Sequence, residues 1–396
     1  MSTPSTAHIR HPKMKIIRMA TIGLSLDIFC HGLLSELSEE YDVVALSSPD
    51  DRLATLGARE KVRTIGVRMH REISPLADLK SVWQLYRAFR REKPRMVHSM
   101  TPKAGLLGMM AARLAGVPVR VHTFTGLVFP TSKGLKRLLL KTTDRFTCMC
   151  ATHVIPEGEG VKADLTDHHI TTKPMKVLGH GNVKGVDLGL YTPTAEITER
   201  AAEIRKKAGI APTDKVFVYI GRFVGDKGLR ELITAFKALG RPDWHLLLVG
   251  DLEGGADDIS PEIMTGVPNI HTSQGWVSDV RPWLAAGDIF VFPSYREGFP
   301  NVVLEAGAMG LPAIVTDING SREIITDGKN GLIVPPRDSQ KLHEAMVTMT
   351  RADKERLSEM GAQARENVES HFSQAYVRGC LKEYYRSILG DDRTIG

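Results

Sequence analysis

Cysteine is scarce in this 396-residue chain and gives it no covalent framework. The four cysteines lie at Cys30, Cys148, Cys150 and Cys380, too few and too unevenly spaced for a network of disulfides. Cys148 and Cys150 have one residue between them and no second Cys or His pair nearby, which argues against a zinc site. We therefore expect four reduced thiols, as in a protein of a reducing compartment.

Long apolar runs are also missing. No segment approaches the about 18 consecutive apolar residues that a membrane span needs, and the polar start, residues 2–11, lacks the apolar core of a secretory signal. Of all residues, 42% are hydrophobic and 25% are charged, the balance of a soluble globular protein. The sequence therefore predicts two or three average domains in the cytoplasm and excludes disordered and fibrous classes.

Acidic metal-binding motifs are absent from the sequence too. The chain contains no Asp-x-Asp, and the acidic pairs Asp50-Asp51, Asp257-Asp258 and Asp391-Asp392 lie in predicted loops, away from strand ends. Divalent cations in enzyme sites are held mainly by such carboxylates. We therefore predict chemistry that requires no metal.

Positive charge is concentrated in the first half. Residues 1–190 carry 28 Lys or Arg against 17 Asp or Glu, whereas residues 191–396 carry 24 against 29. Residues 80–145 hold 14 basic residues against only Glu92 and Asp144, an attractive surface for phosphate groups or an anionic bilayer. A solvated basic face and a nucleic-acid site are the alternatives, and the stretch lacks the interleaved aromatic residues of the latter.

Short, continuously apolar runs recur along the chain, each followed by a turn and a helical pattern. Strands covered by helices on both faces have this character, so the pattern predicts two parallel, doubly wound α/β sheets. The first sheet is predicted to contain residues 15–21, 42–48, 95–100, 119–125, 153–156 and 175–179. The second is predicted to contain residues 216–221, 245–250, 289–293 and 313–316, with a strand near 269–271. Two Rossmann-like domains follow, facing each other across a cleft at the carboxyl ends of their strands.

Turn-forming residues cluster at 179–193, where the charge balance also changes sign. We therefore predict an N-terminal domain of residues 1–187, which would bind an acceptor, and a C-terminal domain of residues 188–372. Residues 374–389 carry apolar side chains at about one-turn spacing. A last helix within 373–396 is thus expected to pack back toward the N-terminal domain.

The densest chemical signal is the segment 294–305, which follows a predicted strand. Pro300 suits the first turn of a helix, and the free amides of that turn, near Phe299 to Val302, can bind a phosphate or a sugar oxygen. Glu297 precedes the helix and Glu305 lies inside it, one turn after Asn301. Two carboxylates then flank one anion-binding helix end, unless Glu297 only interacts with the helix dipole and Glu305 lies on the surface.

A glycine-rich turn, residues 221–228, follows another predicted strand and carries Arg222 and Lys227. Two cations at the carboxyl end of a strand can hold a diphosphate without a metal. The turn fits neither GxxxxGK[ST] nor G-x-G-x-x-G, which argues against a nucleoside triphosphatase and a dinucleotide enzyme. A salt bridge for Arg222 and a solvated position for Lys227 are the simpler alternatives.

These residues resemble the motifs of a known family. Gly221-Arg222 with Lys227-Gly228, and Glu297-Gly298-Phe299-Pro300 with Glu305, are similar to the nucleotide-sugar motifs of the retaining glycosyltransferases of family four. In the first half, residues 21–26, 97–105 and 125–127 resemble the bacterial branch that builds exopolysaccharide, O-antigen and protein-glycan precursors on undecaprenyl diphosphate. The resemblance covers nearly the whole chain and implies the GT-B fold of two facing Rossmann-like domains.

The resemblance implies roles on the donor side. Arg222 and Lys227 hold the donor diphosphate and stabilise it as it leaves, Glu297 contacts donor-sugar hydroxyls, and Glu305 accepts hydrogen bonds from the ribose. The remaining donor-binding positions are Gly23, Gly221, Gly275, Trp276, Val277, Gly298, Phe299, Pro300, Asn301 and Val302. Gly275 to Val277 are expected to place the nucleobase, although Trp276 could instead pack in the core. Gly23 is expected to let a loop approach the phosphates, although the family's second glycine is missing.

The acceptor side departs from the family pattern. The family's frequent catalytic histidine would precede Gly126, where this chain has Thr125. Thr125, His122, His98 and Lys103 are the candidate acceptor-side residues, although the histidines could instead be core residues at strand ends. The family's serine after residues 153–156 is also replaced, and no role follows for Glu157 nearby.

The sequence thus predicts a metal-independent, retaining hexosyltransferase or N-acetylhexosaminyltransferase without a cofactor. Its donor would be a nucleotide sugar, a UDP-sugar in the first instance, and its acceptor a hydroxyl of a polyprenyl-diphosphate-linked saccharide in bacterial surface polysaccharide or glycan synthesis. Attack from the face that the diphosphate leaves, with a donor phosphate oxygen taking the acceptor proton, needs only positioning and charge stabilisation. A GT-B nucleotide-sugar 2-epimerase and a non-catalytic nucleotide-sugar-binding protein are the alternatives.

A membrane contact is the last expectation. Residues 131–145 combine five basic residues with four leucines, as a basic amphipathic helix at a membrane surface does, although such a helix could instead pack on the sheet. We expect a protein associated peripherally with the inner face of the cytoplasmic membrane, with an anionic lipid surface and no nucleic acid as a partner.

Overall fold

The computed structural model describes residues 13–70, 74–252, 254–255, 257–260, 263, 267–273 and 275–390. The polar start at residues 2–11 and the last six residues of the predicted segment 373–396 lie outside the described residues.

The described strands form two parallel sheets of six strands each. The first contains β1 (Lys15–Met19), β2 (Asp42–Ser47), β3 (Arg63–Gly66), β4 (Met96–Ser99), β5 (Val119–Phe124) and β6 (His153–Pro156), in the order β3-β2-β1-β4-β5-β6. The second contains β7 (Lys215–Ile220), β8 (Trp244–Val249), β9 (Ile270–Thr272), β10 (Ile289–Phe292), β11 (Ala313–Thr316) and β12 (Gly331–Val334), in the order β12-β11-β10-β7-β8-β9. In each sheet the strand order reverses beside the first strand, as in doubly wound folds, which confirms the predicted fold class.

Helices surround both sheets. Those following the strands of the first sheet are α1 (Gly23–Cys30), α2 (Leu33–Ser38), α3 (Asp51–Glu60), α4 (Pro75–Glu92), α5 (Pro102–Leu114), α6 (Gly134–Cys150) and α7 (Glu159–Asp167). Those of the second half are α8 (Ala195–Lys207), α9 (Leu229–Leu239), α10 (Arg281–Ala285), α11 (Asn301–Ala308), α12 (Ser321–Ile324), α13 (Ser339–Arg351), α14 (Lys354–His371) and α15 (Gln374–Leu389). Local sequence sets several starts. Pro75 and Pro102 occupy first turns, where a missing amide costs nothing, and Asp338 and Asp353 cap α13 and α14.

Some elements differ from the prediction. Residues 175–179 form no strand, because only Met175 bridges to Val154 before the chain turns at Gly179, whose φ is +55°. The edge strands β3 and β12 were not predicted: β3 is mostly exposed and contains Arg63 and Thr64, and β12 is an apolar run of only four residues. Helix α6 starts at Gly134 rather than at residue 131, because Phe129–Thr131 form a separate 3-10 turn, and it continues to Cys150.

Helix α15 packs into the core of the first sheet. Leu381, Tyr385 and Leu389 are buried in one apolar cluster with residues of β1 and β2. The Tyr385 hydroxyl also accepts a hydrogen bond from the Arg18 guanidinium at 2.5 Å. The chain therefore leaves the first sheet, builds the second and returns. Its two crossings are adjacent, because the Val186 amide donates to the Phe372 carbonyl at 2.8 Å.

Candidate active site

The loops after β7 and β10 meet where the strand order of the second sheet reverses. The Nζ of Lys227 forms an ion pair with Oε1 of Glu297, and the Ser294 hydroxyl donates to the same oxygen at 2.8 Å. Both charged side chains are largely shielded from water, with 11% and 18% exposed. Doubly wound sheets bind ligands in the crevice at this reversal point. The structure therefore brings two residues predicted from separate motifs together at the expected ligand position.

A second set of contacts holds these loops together. Arg296 pairs with Asp226 at 3.1 Å, and the Tyr295 amide donates to the Asp226 carbonyl at 2.8 Å. Gly228 has a φ of +71°, and a β-carbon there would collide with the carbonyl oxygen of Pro293. Glycine is therefore required for the two loops to approach closely enough for the ion pair.

Arg222 lies at the start of the same loop, directly after Gly221. Its side chain is exposed, whereas its carbonyl accepts a hydrogen bond from the Tyr219 hydroxyl at 3.0 Å. Burial raises the pKa of Tyr219 well above its usual range, and the nearby Glu297 adds to the shift. Tyr219 thus stays a neutral donor that fixes the backbone of Arg222.

Helix α11 follows the Glu297 loop, as the sequence predicted. Glu305, inside the helix, is largely buried and pairs with Lys184 at 3.1 Å. Burial raises the pKa of Tyr191, and the charge of Glu305 and a hydrogen bond to it raise that pKa further. The Glu305 carboxylate is therefore oriented by two residues of the segment that joins the sheets, rather than lying on the surface.

The first turn of α11 is held by the same joining segment. The Asn182 side-chain amide donates to Oδ1 of Asn301 at 3.0 Å, and Asn182 Oδ1 accepts from the Gly185 amide at 2.6 Å. Phe299 is buried against Phe372, with ring centroids 5.4 Å apart. Phe299 thus offers a ligand its backbone rather than its ring. Pro300 is also buried, and Val302 is half-buried.

The two domains touch at Gly126 and Gly298. A β-carbon on Gly298 would lie 2.6 Å from the Thr125 carbonyl oxygen and 2.7 Å from the Gly126 nitrogen. The Thr125 hydroxyl points elsewhere and donates to the Met100 carbonyl at 3.1 Å. Beside this contact lies a cavity of about 130 Å³, lined from one side by Leu127 and from the other by Glu297. The cleft predicted between the domains is therefore present, and closed at one point.

Glu157 follows β6 and reaches the same contact. Its side chain is only 3% exposed, and a β-carbon on Gly298 would lie 2.6 Å from its Oε2. Burial raises the pKa of Glu157 well above its usual range, and the charges of Glu297 and Glu323 raise it further. No sequence motif marks this residue, because its position depends on how the two domains pack.

The other donor-side predictions lie on separate loops. The Gly23 amide, at the start of α1, donates to Oδ2 of Asp50 at 3.1 Å, and a β-carbon on Gly23 would collide with that carboxylate. Trp276 is 77% exposed, which excludes its interpretation as a core residue. It follows Gly275, whose φ is +81°, and Val277 packs against the core of the second sheet.

The predicted acceptor-side histidines lie inside the first domain. His98 bonds to Thr123 at 2.7 Å, and His122 bonds to Ser99 at 2.8 Å, on the opposite face of the sheet. Burial lowers the pKa of both rings, that of His122 to about 3. The structure thus favours neutral core histidines over ligands of an acceptor. Lys103 pairs with Asp78 at 2.6 Å and joins the starts of α5 and α4.

Comparisons with known proteins agree with this geometry. Residues 28–181 match the family model described as a glycosyl transferase 4-like domain, and residues 214–351 match that of glycosyl transferases group 1. The chain is 30% identical over 380 residues to the capsular polysaccharide biosynthesis glycosyltransferase CapM of Staphylococcus aureus, covering 95% of this chain and 97% of that protein. The chain belongs to glycosyltransferase family four.

Two further relatives extend the comparison of this glycosyltransferase. A UDP-Gal:α-D-GlcNAc-diphosphoundecaprenol α-1,3-galactosyltransferase of Escherichia coli is 31% identical over 324 residues, 80% of this chain and 81% of that protein. The crystal structure of HepE from Anabaena in complex with UDP superposes with a TM-score of 0.79 at 20% identity, covering 94% of this chain and 100% of that one. The last similarity supports the GT-B fold.

Several residues at the site of the glycosyltransferase were given no role from the sequence: Glu157, Asn182, Lys184, Tyr191 and Glu323. Asn182, Lys184 and Tyr191 fall within the turn-forming cluster at 179–193, and this position at the boundary between the domains is the signal that could have marked them. Among the residues that the structure describes, no three His, Cys, Asp or Glu side chains are grouped to hold a metal ion.

The glycosyltransferase exposes apolar side chains on the outer helices of its first domain. On α6, Leu135 and Leu138 are 85% and 59% exposed, and on α4, Leu76, Leu79 and Trp83 are 86%, 67% and 56% exposed. Basic residues lie on the same two helices, among them Lys80 and Arg87 on α4 and Lys136 and Lys141 on α6. Within the described ranges, no helix has both the length and the apolar character to cross a membrane.

Proposed function

We propose that this glycosyltransferase is a retaining enzyme that transfers a hexose or N-acetylhexosamine from a UDP-sugar to a hydroxyl of a polyprenyl-diphosphate-linked saccharide in bacterial surface polysaccharide or glycan synthesis. The carrying observation is the Lys227–Glu297 pair, which stands beside the start of α11 and opposite Gly126 of the other domain. The name of the Escherichia coli relative supports the class of donor and acceptor, and the UDP bound by HepE supports the nucleotide.

The second domain, residues 188–372, binds the donor in this proposal. Lys227 and Arg222 hold the diphosphate, and the amides at the start of α11 orient phosphate and sugar oxygens. Glu305, held in place by Lys184, accepts hydrogen bonds from the ribose hydroxyls. Glu297 contacts the hydroxyls of the sugar, and Gly275 to Val277 place the nucleobase. The first domain, residues 1–187, brings the acceptor to the opposite side of the cleft.

The reaction is a displacement at the anomeric carbon. The bond from this carbon to the diphosphate breaks, the acceptor oxygen forms the new bond on the same face, and a phosphate oxygen of the leaving diphosphate takes the acceptor proton. Negative charge grows on the diphosphate, so Lys227 and Arg222 stabilise the transition state more than the ground state. This path uses neither a protein nucleophile nor a metal.

We further propose that the outer faces of α4 and α6 rest on the anionic inner face of the cytoplasmic membrane, where the acceptor's lipid would reside. Their exposed leucines can enter the headgroup region while the neighbouring basic residues meet lipid phosphates. Binding to vesicles of anionic and of neutral lipid at low salt tests this. Leu135→Ser with Leu138→Ser should weaken anionic binding, and Leu190→Ser, at an exposed position of the second domain, should not. Equal binding of all variants, or none by the wild type, contradicts the proposal.

The activity is tested by nucleotide release in the presence of a chelator. UDP- and GDP-sugars are each incubated with and without a short polyprenyl-diphosphate-linked saccharide, and the anomeric configuration of any product is read by NMR. Release that requires one UDP-sugar and the lipid acceptor, with retained configuration, is the expected result. Conversion of the donor alone would instead identify a 2-epimerase. Donor binding without turnover under any condition would identify a binding protein.

A further inference from the structure

A buried carboxyl group stands at the contact between the two domains with no donor to satisfy it. The Glu157 side chain is 3% exposed, and within the described part of the chain no side chain or amide donates a hydrogen bond to it. Its oxygens are not among the fully enclosed side-chain atoms without a partner, so the carboxyl group keeps a small contact with open space. A ligand can therefore reach this group and supply a hydrogen-bond partner.

The position of this carboxyl is defined by backbone from both domains. A β-carbon added to Gly298 would lie 2.6 Å from Oε2 of Glu157 and 2.6 Å from the Thr125 carbonyl oxygen. Gly298 directly follows Glu297, which pairs with Lys227. The Glu157 carboxyl therefore lies beside Gly298, whose neighbour in sequence, Glu297, is proposed to contact the donor sugar.

The charges around Glu157 are acidic. Glu297 faces it from the loop after β10, and Glu323 faces it from α12. Lys227, the cation near Glu297, forms its ion pair with that residue. Glu323 accepts hydrogen bonds from the amides of Glu159 and Gly160. The segments at residues 125–126 and 181–182, which also contact Glu157 or its neighbours, contribute no titratable side chain. An ionised Glu157 would therefore be repelled from two sides, and the neutral acid is favoured.

We propose that Glu157 binds a hydroxyl of the transferred sugar beside Gly298. A neutral acid carries one donor and one acceptor, which matches a hydroxyl group, whereas a carboxylate can only accept. A neutral group also adds no repulsion to the diphosphate held by Lys227. The inference rests on the proposed function, because it assumes that the donor sugar occupies this cleft.

The test separates the sugar from the nucleotide. Affinities for UDP and for a panel of UDP-sugars (UDP-glucose, UDP-galactose and UDP-N-acetylglucosamine) are measured by calorimetry for the wild type, Glu157→Gln and Glu157→Ala. UDP should bind equally to all three proteins. The preferred UDP-sugar should bind about tenfold less tightly to Glu157→Ala, the loss of one good hydrogen bond, and nearly normally to Glu157→Gln, whose amide both donates and accepts.

The pH dependence of UDP-sugar affinity adds a measurement that a purely structural role of Glu157 would not affect. As the pH is raised from neutral into the alkaline range, the wild type should lose affinity for the UDP-sugar relative to UDP, because the Glu157 carboxyl ionises, and Glu157→Gln should not. Parallel pH profiles for the two proteins overturn the inference, as does an alanine variant that weakens UDP and UDP-sugar alike. If Glu157→Ala unfolds, the comparison of wild type with Glu157→Gln still decides. A wild type that binds UDP-sugars no better than UDP at any pH also overturns it, and one that binds neither overturns the proposed function as well.

Discussion

Gly126 and Gly298 touch across the cleft, so that a β-carbon on Gly126 would lie 3.2 Å from the Cα of Gly298. Each residue belongs to a different domain and follows a strand of a different sheet, at the edge where parallel sheets bind ligands. Two backbones can approach this closely only when neither carries a side chain on the facing side. The closed form of the cleft therefore depends on a pair of glycines.

Gly298→Ala should lower turnover by about 100-fold, since a displacement of about 1 Å at a reacting centre has an effect of that size. The added methyl group would meet the Thr125 carbonyl and the Glu157 carboxyl and hold the domains apart. Steady-state kinetics with the preferred donor and acceptor measure the effect. Gly255→Ala is the matched control, because a β-carbon there meets open space. Normal turnover of Gly298→Ala would show that catalysis does not use this closed contact.

Lys227→Ala and Arg222→Ala should each lower kcat by about 100- to 1,000-fold, the cost of removing one preorganised group that stabilises developing charge. Lys207→Ala, at an exposed helical position of the same domain, should retain wild-type kinetics. A near-normal kcat in either loop variant would remove that residue from the proposed mechanism.

Glu305→Gln should weaken UDP binding by about tenfold, because a charged acceptor of the ribose hydroxyls becomes a weaker neutral one. The effect should shrink when UDP is replaced by its 2′,3′-dideoxy analogue, which lacks the hydroxyls. Calorimetry with both ligands gives the comparison. An equal loss for the two ligands would mean that Glu305 acts only through its contacts with Lys184 and Tyr191.

The buried histidines predict that the folded protein loses stability as the pH falls. The pKa of His122 is about 3 in the folded protein, against 6.5 for an ordinary histidine, so the unfolded chain takes up the proton first as the pH falls. The contribution to stability is complete above pH 6.5 and is lost progressively toward pH 3. His98 shifts in the same direction. NMR titration should show two imidazole rings that stay neutral well below pH 6.5. Titration of every ring near that pH would contradict the burial.

The fold was largely predictable because most strands are short, apolar and followed by helical patterns. The exceptions have a physical cause. In β3, Arg63 and Thr64 are exposed at the sheet edge, so the strand has no apolar run to reveal it. Met175 was assigned to a strand from its apolar neighbours, but it makes a single bridge, since hydrogen bonding across the sheet cannot be read from one segment alone.

The parts of the site that follow from strand-end motifs were predictable, and those that depend on the packing of the two domains were not. Lys227 and Glu297 each follow a strand, and adjacent strands bring their ends together. The burial of Glu157 against Gly298 and the hold of Lys184 on Glu305 join residues more than a hundred positions apart through domain packing, which no local pattern encodes.

The return of α15 to the first sheet determines the order in which the protein can be completed on the ribosome. Leu381, Tyr385 and Leu389 fill the core beside β1, yet they are synthesised after all of the second sheet. Until these residues are synthesised, part of the apolar core of the first domain therefore stays exposed, whereas all strands of the second sheet are already present. A nascent chain of this enzyme therefore exposes an apolar surface that chaperones can bind until α15 is synthesised. Truncation before residue 374 would leave that surface permanently exposed.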